Sequence, residues 1–240
     1  MFPFFFDPTM MLLVPALIFA MWAQFKVKST FDKYSRQPSQ AGYTGAQVAR
    51  AILDNAGLSA RDRAENVVGV DAVPGHLTDH YDPRTKVVNL SESNYNRRSI
   101  ASLAVAAHEV GHALQDRDDY SPMRWRHKLV PAANLGSMAA FPLFFIGLFF
   151  HSGLSTFFMD LGIAFFLAAV LFHVVTLPVE FNASRRALVL LEEQGFLAQS
   201  EIPAAKAVLR AAALTYVASA TMAVMNLLRL ILLRNMVSND

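Results

Sequence analysis

Five residues in the middle of this 240-residue chain, His108-Glu109-Val110-Gly111-His112, have the types and spacing needed to hold a metal and use it. Two histidines four positions apart on a helix project from one face, close enough for both imidazoles to grip a single ion. The glutamate between them stands beside that ion. There it can accept a proton from a water whose acidity the metal has raised to near neutral pH. With seven histidines and seven glutamates in the chain, a shuffled sequence would carry the pattern roughly 0.006 times, so coincidence is a poor account of it.

A usable site needs a helix to carry the pair and a further ligand from elsewhere. The motif helix is expected from Arg98 or Ser99 to Gln115, before the charged exit Asp116-Arg117-Asp118-Asp119. Ile100, Leu103, Ala107, Val110 and Leu114 form one apolar stripe, and Ala101 and Val105 share a neighbouring one with His108 and His112. Such a helix is buried on most sides. Two histidines and a water leave zinc one protein ligand short of the usual catalytic set. Glu180, in LPVEFNASRRA (177–187), is the strongest candidate. The competing reading makes it a carboxylate at a helix start, where the helix dipole favours negative charge.

Composition places these residues in a membrane protein. The chain is 54% hydrophobic and 17% charged, with mean hydropathy +0.31, too apolar for an ordinary soluble domain. Four stretches, 9–25, 129–150, 157–177 and 211–233, have about the length that crosses a hydrocarbon core. The first is read as an uncleaved anchor, because residues 1–9 contain no Lys or Arg and no small-residue cleavage site follows. Fifteen Lys and Arg lie in 26–128 and four in 181–210, against none in 1–9 and none in 151–156. The positive-inside rule then makes the charged segments cytoplasmic and both termini external. Two spans separate His112 from Glu180, which returns Glu180 to the side that carries the motif. The net charge of +2 is explained by these loops and calls for no nucleic-acid partner. The absence of cysteine fits a reducing face.

The expected fold is therefore a mainly α membrane protein: four transmembrane helices with a small α+β cytoplasmic portion of metallopeptidase type. Its organisation reads as an N-terminal anchor (1–25), a cytoplasmic α+β portion (26–128), transmembrane helices two and three (129–177), a cytoplasmic helical segment with Glu180 (178–210), and a fourth span with its tail (211–240). Within the second part, 26–38 reads as a polar connector and 44–57 as a helix capped by Thr44 and stopped by Gly57. A strand is expected over 66–73, and a hairpin from 75–81 and 86–91 about the turn Asp82-Pro83-Arg84-Thr85.

Four ordered segments, GHLTDHYDPRTKVVNLS, SIASLAVAAHEVGHALQ, LPVEFNASRRA and AAALTYVA, together resemble the YugP-like neutral zinc metallopeptidases. These are a bacterial membrane family of the gluzincin type. The resemblance runs through most of the chain. It implies one Zn2+ held by His108, His112 and Glu180, with Glu109 as catalytic base. It also implies a protein or peptide substrate bound extended along an exposed strand edge, supplied by 77–81 or 86–90. Membrane location suggests substrates that are membrane proteins or membrane-proximal segments; nothing sets an oligomeric state. One departure stands out. Many gluzincins carry an aspartate four residues after the ligand glutamate, where this chain has Ser184, so Asn182 or Ser184 is left to accept the hydrogen bond of a zinc histidine.

Other polar residues carry weaker expectations. His76 and His80 with Asp79 or Asp82 suggest a second metal only faintly, and His80, Tyr81, Tyr95 and Arg185 are unranked donors for an oxyanion. His173 reads as a bundle-facing hydrogen-bonding residue, with a polar path to the metal as the alternative. Asp160 and Arg229, at similar depth, are expected to face each other or snorkel together, and the runs 2–6 and 144–150 to meet lipid or interface. The rival to an enzyme is a non-catalytic zinc-binding membrane scaffold. Glu109 argues against it, since a structural site needs no base and is normally closed by four protein ligands.

Overall fold

The computed structural model describes residues 8–59, 67–149 and 154–238. A short 3-10 helix, Pro8–Leu13, leads into α1 (Val14–Ser35), followed by α2 (Gly45–Asn55), β1 (Gly69–Val73), β2 (His80–Asp82) and β3 (Val87–Ser91). Then come α3 (Glu92–Tyr95), the motif helix α4 (Ile100–Arg117), and the long helices α5 (Ser121–Phe149), α6 (Leu154–Glu193) and α7 (Ile202–Ser238). The described residues are mainly helical, with one small sheet. Four helical stretches, Pro8–Ser35, Ser121–Phe149, Leu154–Glu193 and Ile202–Val237, are long and apolar enough to cross a membrane.

Each expected span, apart from residue 150, which is outside the described residues, lies within a longer helical stretch. Residues 26–35, expected as a connector, continue α1, because no glycine or proline interrupts them and Phe31 is buried with its ring edge-on to His76 at 5.2 Å. Likewise 178–193 prolongs α6 without a break, although Pro178 sits inside it. Prolines 131 and 142 also lie within α5, a position tolerated in apolar helices where neighbours re-satisfy the freed carbonyl.

Two compact units make up the chain. The helical unit comprises the described residues of 1–24, 124–177 and 215–240. Its helices approach closely at glycines: a side chain at Gly162 would collide with the Ala140 carbonyl, and one at Gly147 with that of Ser155, as is usual for helices packed in lipid. Phe144 is almost fully buried here, with Ala140, Met159 and Phe166, so the aromatic run does not simply face lipid; Phe145 and Phe149 are exposed. Residues 2–6 and 150 lie outside the described residues. Asp160 takes a two-pronged hydrogen bond from Arg234, at 2.8 and 2.9 Å, rather than the expected pairing with Arg229, whose Nε donates to Thr9 Oγ1. A guanidinium fork aligned on a carboxylate is the stronger arrangement. His173 lines a cavity of about 350 Å³ with Gln24, Thr215, Ser219 and Asn226.

The α+β unit comprises 25–123 and 178–214. Helix α2 starts as its sequence requires: Thr44 Oγ1 accepts from the Gln47 amide, and the Gln47 side chain accepts from the Thr44 amide, closing a capping box. Gly57 follows at φ +69°, a conformation that favours glycine at a helix stop. The sheet order is β1-β3-β2, with β1 parallel and β2 antiparallel to β3. The expected hairpin forms, with its first strand reduced to His80–Asp82 and its turn one residue later than expected, at 83–86. The β1 strand lies within the expected 66–73, of which residue 66 is outside the described set. Helix α4 is buried on nearly every side against α2, the sheet and α6, and its alanines 101, 104, 106, 107 and 113 permit that close packing.

Candidate metal centre

Helix α4 begins one residue after Ser99, whose hydroxyl accepts from the Ser102 amide. That cap sets the helical phase, and His108 and His112 consequently stand one turn apart with ring centroids 4.8 Å from each other. Gly111 lies between them on the side turned to α6. A Cβ there would sit 2.9 Å from the Ala183 carbonyl oxygen and 3.2 Å from its Cα, so glycine lets the two backbones meet. The approach brings Glu180, 1% exposed, onto the histidines. Its Oε2 is 3.3 Å from His108 Nε2 and 3.6 Å from His112 Nε2, and all three candidate ligand atoms lie within 4.8 Å of one another.

These residues fit zinc. Ligands about 2.0–2.1 Å from a tetrahedral ion are separated by about 3.3 Å, and the two glutamate-to-histidine distances lie close to that value. A carboxylate so thoroughly buried also needs positive charge beside it. Among the described residues this is the one group of three His, Asp or Glu donors that could hold a metal.

The outward-facing ring nitrogens are occupied as well. Ser184 Oγ is 3.2 Å from His108 Nδ1, and the Gln115 side-chain carbonyl is 3.0 Å from His112 Nδ1. Gln115 Nε2 donates to the Val179 carbonyl at 2.8 Å and to Asn182 Oδ1 at 2.9 Å. Ser184 thus takes one of the roles the sequence left open. Asn182 touches neither histidine in this way and instead holds Gln115. Gln115 was not anticipated; its signal is its place three residues after His112, on the same helical face.

Comparison with known proteins agrees with this geometry. Residues 9–235 match a family model described as "Putative neutral zinc metallopeptidase". The chain belongs to this family. It is 47% identical over 222 residues to "Putative membrane protease YugP" of Bacillus subtilis (strain 168), covering 92% of this chain and 94% of the relative. No solved structure matches.

In this member of the zinc metallopeptidase family, Glu109 is buried between the histidines and the sheet. Burial, with further repulsion from Glu180 and Asp79, pushes its carboxyl up to about 7, although His108 and the Tyr81 amide hydrogen bond act in the opposite direction. A carboxylate near 7 is suited to exchanging protons at neutral pH. The Tyr81 amide places β2 beside Glu109. Since β3 is the central strand, 86–90 is not an edge, and of the two expected strands only β2 ends the sheet.

Most side chains of the other sequence candidates have partners of their own. Tyr81 Oη donates to Asp116 at 2.7 Å, and burial together with that acceptor raises its pKa well above the ordinary phenol range. Tyr95 Oη accepts from Arg50, and Arg185 is exposed. His80 Nδ1 lies against the Thr78 carbonyl, and His76 packs on Phe31. Asp79 accepts from the Ser91 amide and hydroxyl and from Asn94, while Asp82 accepts from the Arg84 amide. These contacts tie the second-metal candidates into the hairpin and its exit.

Proposed function

We propose that this chain is a zinc-dependent endopeptidase of the membrane, with His108, His112 and Glu180 as ligands of one Zn2+ and Glu109 as the general base. The observation that carries the reading is the convergence of two Nε2 atoms and a glutamate oxygen beside a buried carboxyl held near neutrality. Zinc bound there would supply a Lewis acid for a scissile carbonyl and acidify a water. Glu109 takes the proton from the attacking water and delivers it to the leaving amine. Strand β2, at the end of the sheet, holds the substrate extended through backbone pairing, which tolerates varied side chains. The asymmetric distribution of Lys and Arg supports a site on the cytoplasmic side with both termini outside. Substrates are then membrane proteins or their membrane-proximal segments.

The test is cleavage of casein and a fluorogenic peptide library by detergent-solubilised wild type and Glu109→Gln, with zinc content measured for both. General-base loss should reduce turnover by about 10²-fold or more while zinc is retained. Stoichiometric zinc in both proteins with no cleavage by either would favour the scaffold.

A further inference from the structure

The hydrogen bonds around Gln115 decide which nitrogen of His112 carries the proton. The Val179 carbonyl can only accept, so the Gln115 atom 2.8 Å from it is the amide nitrogen. Asn182 presents its Oδ1 to that same nitrogen, and the identity of this oxygen is fixed independently, because Arg186 Nε, which can only donate, bonds to it at 2.9 Å. Both protons of the Gln115 amide are thereby directed at acceptors. Its carbonyl oxygen is left facing His112 Nδ1 at 3.0 Å, and a bond between them requires the proton on Nδ1. The Nε2 of a neutral His112 then has a bare lone pair, 3.6 Å from a Glu180 oxygen. Two acceptors face each other across a gap that a cation fits.

His108 has no equivalent constraint. Its Nδ1 partner is the Ser184 hydroxyl, which can donate or accept and so permits either tautomer. The chain behind Gln115 is anchored further: Arg186 pairs with Asp118, the residue that caps the end of α4. The orientation of one amide therefore depends on both α4 and α6.

We infer that Gln115 is the positioning residue of the metal centre, locking His112 in its Nδ1–H form so that Nε2 is turned toward Glu180 before an ion arrives. This rests on reading His112 as a ligand. A partner of this kind on a metal histidine is worth about 10–100-fold in metal affinity.

The experiment pairs nitrogen-15 histidine NMR of the metal-free protein in detergent, at a pH where imidazole is neutral, with zinc affinity from chelator competition. His112 is assigned by its absence in His112→Ala. Wild type should show His112 protonated on Nδ1, whereas Gln115→Leu should populate the other tautomer and bind zinc about 10–100-fold more weakly. A wild type that binds zinc with His112 protonated on Nε2, or a folded Gln115→Leu with unchanged affinity, overturns the role of Gln115. A wild type that shows the Nδ1–H form yet binds no zinc overturns the ligand reading instead.

Discussion

At the scale of single residues, Glu109 shows how burial tunes a carboxyl for proton exchange. Its folded pKa is raised from 4.5 to about 7, so the fold favours the protonated form. The stability this contributes is complete below about pH 4.5 and is lost as pH rises through about 7. In metal-free protein, Glu109→Gln, neutral throughout, should therefore melt above wild type at about pH 8, with the gap closing below about pH 5. Thermal melts across that range check the sign; parallel curves would contradict it. The sequence made the histidine pair and its glutamate legible, because a helix converts spacing directly into a shared face. Gln115 was not legible in the same way. Its position follows from spacing, but its role follows from Val179 and Asn182, 64 and 67 residues downstream.

At the scale of elements, the site depends on how closely α4 meets α6. Gly111 is the contact that sets this distance. Its replacement by alanine would force a methyl against the Ala183 backbone, where no flexible side chain can move aside. We expect Gly111→Ala to cost about 1–3 kcal/mol and to weaken zinc binding with it, because His108 and His112 flank the point of contact. Thermal melts and chelator competition measure the two effects, and a variant matching wild type in both would show that the helices tolerate greater separation. Helix starts were readable in advance, since Thr44 and Ser99 carry the caps within their own segments. Helix ends were not. Residues 26–35 read as a polar connector and 178–193 as part of a separate cytoplasmic helical segment, but buried Phe31, Ala187 and Leu191 give them apolar faces that continue α1 and α6. The parallel β1–β3 pairing was equally hidden, because local patterning shows a hairpin but not which strand inserts between its neighbours.

At the scale of the whole molecule, charge along the chain predicts orientation. Fifteen of the 21 Lys and Arg lie in 26–128, which should hold that segment on the cytoplasmic side. Single cysteines in this cysteine-free chain provide the check. Leu154 is 54% exposed and Gln37 is also exposed, whereas Ser155 is buried with its hydroxyl on the Gly147 carbonyl and would label poorly. An impermeant maleimide should label Leu154→Cys in intact cells and Gln37→Cys only after permeabilisation; the reverse pattern would invert the topology. The membrane class was visible in composition alone. Side-chain partners within the helical unit were not, since Asp160 takes Arg234 where similar depth in the topology suggested Arg229.

In the proposed enzyme, α4 and α6 jointly hold one zinc while Glu109 stands ready as base. Zinc per chain, measured by mass spectrometry after purification without chelator, tests this for wild type, Glu109→Gln and Glu180→Ala side by side. About one zinc per chain is predicted in the first two, with a marked loss in the third. A zinc-free wild type, or undiminished zinc in Glu180→Ala at matched free zinc, would contradict it.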